Sequence, residues 1–202
     1  MRNEIWGIVL AAGISRRMGT PKMLLPYREK TLIRSVIEKS LNSVLDGVVV
    51  VINPKVEGLY KEVSLTRVKQ VIINNDSHIG MSSSIKAGLH SLPKQVEAAV
   101  ILLGDQPEIN EKSINKVVEA FLKHKPAVVQ SVFLNNKKGH PVLFKRNMFP
   151  HLLETDGDSG GKFVIQKFNK EVVYAEMNQM NIPDIDTFED YQRLIKEEGV
   201  RK

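Results

Sequence analysis

Residues 8–22 read IVLAAGISRRMGTPK, an apolar strand that runs into a short glycine-bearing loop with two arginines and a lysine. Backbone N–H groups can approach phosphate oxygens where no bulky side chain intervenes, and cations neutralise the phosphate charge. The segment therefore predicts a seat for a nucleoside triphosphate. It is not a P-loop, because five residues separate Gly13 from Gly19 and no Gly-Lys-Ser/Thr ending follows. The dinucleotide-binding pattern G-x-G-x-x-G is also absent.

The composition is ordinary for a soluble globular protein and excludes several kinds of site. The 202 residues predict a single domain, 1–202, with a sizeable core. There is no cysteine, which excludes disulfides, thiolate metal sites and cysteine nucleophiles and fits a reducing, cytoplasmic environment. We expect no membrane span, because no apolar run approaches the roughly 20 residues of a membrane helix. We expect no secretion signal, because the first ten residues carry an acid and enter a strand directly.

The formal net charge of +6 has two interpretations. One is a solvated surface with some excess lysine, and the other is a polyanionic ligand. Aromatic residues make up only 6% of the chain, and no basic run is interleaved with aromatics, which disfavours nucleic acid. We favour a small phosphorylated ligand, because the cations recur next to glycines rather than in blocks.

Short β-branched runs alternate with amphipathic helical patterns along the chain. The strands are predicted at residues 5–11, 47–52, 68–73, 98–103, 127–133, 141–144 and 172–175. Helices are predicted at residues 31–41, shortly after Pro54, and at 81–92, 113–124, 159–168 and 188–198. This order predicts a three-layer α/β/α sandwich with a mostly parallel, Rossmann-like sheet. The closely spaced strands after residue 127 indicate an antiparallel insertion.

Unusual polar residues follow four of the predicted strands. They are Gly13–Lys22 after the first, Asn53 after the second, Asn74–Asp76 after the third and Gly104–Pro107 after the fourth. Because ligands of such sheets bind beyond the carboxyl ends of the strands, we expect these segments to form one site.

Two of these segments carry the strongest chemistry. Asp105 follows a central strand, where a carboxylate is well placed to hold Mg²⁺, although an aspartate that caps a turn is the alternative. Arg16, Arg17 and Lys22 are the phosphate-binding candidates, and a solvated basic turn is their alternative.

Other motifs leave their roles open. Ser82, Ser83 and Ser84 open a helix, where one hydroxyl is expected to cap backbone donors and the other two are open to a ligand. His140 starts a strand, in either a structural or a binding role. The loop Asp156–Gly161 is a turn and cap or a substrate-side loop, and Ser159 lies in no G-x-S-x-G elbow, so hydrolase chemistry is rejected. Asp186 either caps the last helix or folds back to the Asp105 site.

Taken together, these motifs resemble the molybdenum cofactor cytidylyltransferase branch of the MobA-like nucleotidyltransferases over nearly the whole chain. The resemblance is carried by Leu10–Gly19 with Lys22, Gly80–Ser84, Gly104–Pro107, Gly139–Phe144, Gly157–Gly161 and Asp184–Thr187. It implies a fold like that of nucleotide-diphospho-sugar transferases. It also implies transfer of CMP from CTP to the phosphate of molybdenum-bearing molybdopterin, with release of pyrophosphate. The sequence departs from the family pattern at Lys162, where relatives commonly carry Arg, and at Phe188, where Pro is usual.

The resemblance also implies site residues and partners. Catalytic roles fall to Lys22, Arg16, Arg17 and Asp105. The nucleotide is expected at Leu10, Ala11, Ala12, Gly13, Ser15, Lys22, Asn75, Gly80, Ser82, Ser83 and Asp105. The acceptor is expected at Gln106, Pro107, His140, Asp158 and Gly160. Mg²⁺ is expected at Asp105, with Asp186 as a second ligand. Ala12 indicates cytosine rather than guanine, and a recipient molybdenum hydroxylase or its assembly factor is a possible protein partner.

Three alternatives remain open at this stage. The chain is a transferase that uses GTP or ATP, or another phosphorylated acceptor, in the same seat. Alternatively it is a non-catalytic chaperone that holds the cofactor for a molybdenum enzyme. A nucleic-acid binder is the least favoured, and it would show strongly salt-dependent binding.

Overall fold

The computed structural model describes residues 4–15 and 17–200. The strands within them are β1 (Glu4–Ala11), β2 (Pro26–Tyr27), β3 (Lys30–Thr31), β4 (Gly47–Ile52), β5 (Gln70–Ile73), β6 (Val96–Leu103), β7 (Val128–Val132), β8 (Lys138–Lys145) and β9 (Val172–Glu176). The α-helices are α1 (Leu32–Leu41), α2 (Leu59–Ser64), α3 (Met81–Ser91), α4 (Glu111–His124), α5 (Phe149–Leu153), α6 (Lys162–Lys167) and α7 (Phe188–Val200).

Seven strands form the central sheet in the order β5-β4-β1-β6-β8-β7-β9. The strand β1 pairs in parallel with β4 and β6, and β4 pairs in parallel with β5. The strand β8 runs antiparallel to both of its neighbours, β6 and β7, and β7 pairs in parallel with β9. The predicted fold class, a mostly parallel sheet with an antiparallel insertion, is confirmed.

Helices cover both faces of this sheet. The helices α1, α2 and α4 contribute Ile33, Val63 and Phe121, among other residues, to the apolar cluster on one face. The helices α3, α5 and α6 contribute to the cluster on the other face, where Ile8 and Leu10 of β1 point. Strands buried on both faces have continuous apolar sequences, which is why β1, β4 and β6 could be predicted from the sequence.

Short polar side chains set where two of the helices begin. Thr31 caps α1 by accepting a 3.2 Å hydrogen bond from the backbone N–H of Arg34, as predicted. Asn110 caps α4 by accepting a 2.8 Å bond from the N–H of Ser113, so this helix starts two residues before its predicted first residue.

The predicted helix at residues 159–168 is wrong in its first part. Residues Gly157–Ser159 form a 3₁₀ turn, and α6 starts only at Lys162. Gly160 has φ +48°, a left-handed conformation that interrupts the helix between these two segments. The short helix α5 and the β2–β3 hairpin were not predicted, because elements of two to five residues carry no clear periodicity.

The C-terminal segment returns to the carboxyl end of β6. The backbone N–H of Ile185 donates a 3.2 Å hydrogen bond to the carbonyl of Asp105. Beyond it, α7 packs through Leu194 against Tyr27 and Leu32, and the Tyr191 hydroxyl donates a 2.7 Å bond to the Pro26 carbonyl. This path carries two aspartates of the segment to the edge of the sheet. Within the part of the chain described, no helix has the length and apolarity needed to cross a membrane.

Candidate functional site

A cavity of about 490 Å³ lies at the carboxyl ends of β1 and β6, beside the start of α3 and the C-terminal segment. It gathers residues of the segments that follow β1 and β6, as predicted, whereas the predicted Asn53 and Asn74–Asp76 are not among the described residues that line it. The lining residues are Leu10, Ala12, Gly13, Ile14, Ser15, Arg17, Lys22, Met23, Ser77, His78, Gly80, Met81, Ser84, Leu103, Asp105, Asp158, Asp184 and Asp186.

Lys22 is the cation at the centre of this site. Its Nζ donates a 2.6 Å hydrogen bond to Oδ2 of Asp105 and a 3.0 Å bond to Oδ1 of Asp186. Only 9% of the Lys22 side chain is exposed. Burial lowers the pKa of Lys22, but the charges and hydrogen bonds of Asp105 and Asp186 outweigh it and raise the pKa above its ordinary value. Lys22 is therefore protonated at physiological pH.

Arg17 lies at the rim of the cavity. Its Nη2 donates a 3.0 Å hydrogen bond to Oδ2 of Asp186, and 70% of its side chain is exposed. An ion pair this exposed contributes little to stability, which leaves the guanidinium available to an incoming anion. Arg16, the other predicted phosphate contact, lies outside the described residues.

Gln106 fastens the C-terminal segment to the end of β6. Its buried Nε2 donates a 2.7 Å hydrogen bond to Oδ1 of Asp184 and a 3.3 Å bond to the Ile182 carbonyl. The predicted role of Gln106 was contact with the acceptor, but both of its amide protons are engaged within the protein. Pro107, also predicted to contact the acceptor, is buried, and its carbonyl accepts a 2.7 Å bond from Lys39.

Asp184 is a carboxylate of the site that had no role in the sequence prediction. Burial and the nearby charge of Asp105 raise the pKa of Asp184, and the hydrogen bond from Gln106 partly offsets this. The sequence signal for Asp184 was its spacing of two residues from Asp186, because residues two apart in an extended segment point the same way.

The oxygen ligands that Mg²⁺ prefers are present. Asp105 and Asp186 both direct a carboxylate oxygen at the Lys22 ammonium. Mg²⁺ in nucleotide sites is usually held by one or two carboxylates together with substrate phosphates, and these two residues form a set of that size. Among the described residues, no group of three or more His, Cys, Asp or Glu side chains is arranged to hold a metal ion.

The serine-rich start of α3 is organised by Asn74 rather than Asn75. The Asn74 Nδ2 donates 2.9 Å hydrogen bonds to both Ser83 Oγ and Ser84 Oγ, and its Oδ1 accepts one from the N–H of Asp76. Asn75 is exposed. Of the three serines, Ser84 lines the cavity, while Ser83 donates to the Gly80 carbonyl and Ser82 is buried.

Several predicted nucleotide contacts thus lie beside the cavity rather than on it. Ala11, Asn75, Ser82 and Ser83 are not among the described residues that line it. A shift of one residue rotates the side-chain direction by about 100° in a helix and by about 180° in a strand. Sequence position alone therefore did not show which of two neighbouring residues faces the cavity.

The loop of residues 156–161 closes over the start of α3. Asp158 Oδ1 accepts a 3.2 Å hydrogen bond from the N–H of Met81, and Asp156 pairs with Lys86 at 3.1 Å. Gly80 has φ +123°, and a Cβ there would lie 2.5 Å from the carbonyl carbon of Gly157. The contact therefore requires glycine. A Cβ added at Gly160 would lie 3.0 Å from the sulfur of Met81, and Gly160 is not among the described lining residues.

His140 lies near the start of β8 and is not among the described residues that line the cavity. The protein atoms around its ring lower the pKa of His140 to about 4, so the imidazole is neutral at physiological pH. The next residue is held in place, because the Ser131 hydroxyl donates a 2.7 Å bond to the Pro141 carbonyl.

A family model described as the MobA-like NTP transferase domain matches residues 7–172. The match contains the glycine-bearing loop, the α3 start, the end of β6 and the loop of residues 156–161. The segment that carries Asp184 and Asp186 lies beyond it.

Individual relatives carry different names. The nicotine blue oxidoreductase of Paenarthrobacter nicotinovorans is 26% identical over 201 residues, which cover 95% of this chain and 96% of that protein. The molybdenum cofactor cytidylyltransferase of Escherichia coli strain K12 is 25% identical over 187 residues, covering 91% and 92%. The chain is also similar to a solved structure, the Mycobacterium sp. strain JC1 homologue of Mycobacterium tuberculosis Rv0371c. The two superpose with a TM-score of 0.87 at 29% identity, and the match covers 100% of each chain.

Proposed function

The chain belongs to the MobA-like NTP transferase domain family, and we propose that it transfers CMP from CTP to the phosphate of molybdenum-bearing molybdopterin. The observation that carries the proposal is the 2.6 Å contact of the Lys22 ammonium with Asp105 inside a cavity walled by the glycine-bearing loop. A buried cation next to a carboxylate that would bind a metal ion suits the transfer of a phosphate group between anions.

The triphosphate is proposed to bind at the loop of residues 10–15. Lys22 is tied to this loop, because its backbone N–H donates a 3.2 Å hydrogen bond to Ser15 Oγ. Phosphates on the loop would therefore lie near the Lys22 side chain and the rim residue Arg17. Ala12 lines the cavity, and its resemblance to the cytidine-using branch supports CTP over GTP.

In the proposed reaction, an oxygen of the acceptor phosphate attacks the α-phosphorus of CTP. The bond from that phosphorus to the oxygen bridging to the β-phosphate breaks, and its electron pair leaves with pyrophosphate. The acceptor phosphate is already ionised near neutral pH, so no general base is needed, and His140 takes no proton. Lys22 and Arg17 offset the repulsion between the anions and the charge that builds on the leaving group.

Asp105, with Asp186 as a second ligand, would hold Mg²⁺ in this reaction. When bound, the ion would neutralise charge on the nucleotide phosphates. Asp105 and Asp186 would hold this charge near the end of β6. Asp184 is held beside them by Gln106.

The acceptor is proposed to enter over the loop of residues 156–161, because Asp158 lines the cavity from that side. Delivery of the product to a molybdenum hydroxylase or its assembly factor, in the cytoplasm, completes the proposal. The lack of cysteine in the chain fits a reducing compartment.

The test is pyrophosphate release by the purified protein with CTP, Mg²⁺ and the molybdenum cofactor, with the E. coli cytidylyltransferase as a positive control. A parallel screen of CTP, GTP, ATP and UTP for the largest rise in melting temperature identifies the nucleotide. Release only with GTP or ATP would overturn the choice of CTP. Cofactor binding without pyrophosphate release from any nucleotide would indicate a non-catalytic cofactor-binding protein instead.

A further inference from the structure

The Lys22 ammonium contacts the same carboxylate oxygens that a metal ion held by Asp105 and Asp186 would need. Its Nζ is 2.6 Å from Asp105 Oδ2 and 3.0 Å from Asp186 Oδ1, so one buried cation already bridges both side chains. Asp105 is itself only 15% exposed, so water screens this pair weakly. The contacts are therefore strong enough to compete with a second cation.

The Lys22 ammonium competes directly with a metal ion for the two proposed ligands. The described lining residues include four carboxylates, Asp105, Asp158, Asp184 and Asp186, and two cationic side chains, Arg17 and Lys22. Of these cations, Lys22 alone contacts both proposed metal ligands. A divalent ion that approached Asp105 would meet the ammonium at contact distance and would be repelled by it.

We propose that the Lys22 ammonium prevents a free divalent ion from binding Asp105 and Asp186 when no nucleotide is present. When the triphosphate binds, its charge attracts the ammonium away from the two carboxylates, which can then bind the ion. The metal then enters with the nucleotide rather than before it. This inference rests on the proposed function, because it uses the same carboxylates and the same triphosphate seat.

The side chain and its anchor suit this movement. A lysine is a compact charge on a flexible stem, so Nζ can leave the carboxylates without any change in the backbone. The Lys22 backbone stays fixed to the loop through Ser15 Oγ, which keeps the ammonium within reach of phosphates bound there. Arg17 cannot replace it, because it contacts Asp186 only and is mostly exposed.

The experiment is a Mn²⁺ titration without any acceptor, following the electron paramagnetic resonance signal of free Mn²⁺. We expect Lys22→Met to bind Mn²⁺ at least about tenfold more tightly than the wild type, because the competing charge is gone. Lys55→Met removes an exposed lysine that is not among the described residues lining the cavity, and as the matched control it should change the affinity less than about threefold. Adding Asp105→Asn to Lys22→Met should remove the gain, which assigns it to this site.

Folded Lys22→Met that binds Mn²⁺ no more tightly than the wild type would overturn the inference. A second measurement uses the wild type alone and decides the question if that variant does not fold. Mn²⁺ alone should leave the melting temperature unchanged, and Mn²⁺ with CTP should raise it above the value with CTP alone. A rise with Mn²⁺ alone as large as that with both would overturn the inference. Failure of the transfer assay would leave these binding results unaffected, so the two proposals fail separately.

Discussion

Asp105 accepts a 2.6 Å hydrogen bond from the ammonium of Lys22, although 83 positions separate the two residues in the chain. The strand β6 delivers Asp105 and the loop after β1 delivers Lys22, and the parallel pairing of β1 with β6 brings both to one edge. The pair therefore links the fold to the proposed chemistry.

Asn74 should matter far more for stability than its neighbour Asn75. Asn74→Ala removes three hydrogen bonds at a buried side chain, so we expect a loss of about 2–3 kcal/mol in the free energy of unfolding. Asn75→Ala is the matched control, and because Asn75 is exposed it should cost less than about 0.5 kcal/mol. Urea unfolding of both variants measures the difference, and equal losses would contradict the Asn74 network.

Gln106→Ala should loosen the C-terminal segment from the end of β6. The variant loses both bonds of Nε2 and leaves Asp184 without its donor, and we expect a loss of about 1–3 kcal/mol in the free energy of unfolding. Gln192, an exposed glutamine of α7, provides the control, and its alanine variant should be nearly neutral. A Gln106→Ala variant as stable as Gln192→Ala would show that the hydrogen bonds of Gln106 contribute nothing to the free energy of unfolding.

Gly80→Ala should displace the loop of residues 156–161 from the start of α3. The added Cβ would lie 2.5 Å from backbone atoms of Gly157, at a left-handed φ of +123°, so we expect a loss of at least about 2 kcal/mol. Gly13→Ala tests the opposite case, because nothing lies within 4 Å of a Cβ there. Thermal unfolding compares the two. Equal melting temperatures for both variants would argue against the tight loop contact.

His140 should make stability depend on pH between about 6.5 and 4. Its pKa is about 4 in the folded protein and 6.5 in an unfolded chain, so the unfolded state binds the proton first as the pH falls. Stability is therefore unaffected by His140 above pH 6.5, declines as the pH falls toward 4, and loses at most about 3 kcal/mol from this residue.

The variant His140→Asn supplies the comparison for this pH dependence. It should show a flatter decline in the free energy of unfolding over the same interval, because the titrating group is gone. Parallel curves for the variant and the wild type would mean that the ring is not held neutral by its surroundings.

The sequence was sufficient to predict the sheet and the edge that carries the site. The apolar runs of β1, β4 and β6 indicate strands buried on both faces, and parallel strands place the segments that follow them together. The close spacing of β7 and β8 also predicted the antiparallel insertion. Family resemblance, and not spacing, supplied the reaction.

The details of the site depend on contacts that sequence does not encode locally. Whether Asn74 or Asn75 faces α3 is a difference of one residue, and both look alike in a loop after a strand. The roles of Gln106 and Asp184 depend on each other across 78 positions and appear only when the C-terminal segment is in place. Short elements such as α5 were missed for lack of periodicity.

The most direct test of the account is pyrophosphate release from CTP in the presence of the molybdenum cofactor and Mg²⁺, measured for the wild type and Asp105→Asn together. Asp105→Asn removes one charge and keeps the side-chain shape. We expect steady release by the wild type and a loss of at least about 100-fold in the variant, because Asp105 would hold the metal and fixes Lys22. No release by the wild type, or equal rates for both proteins, would contradict it.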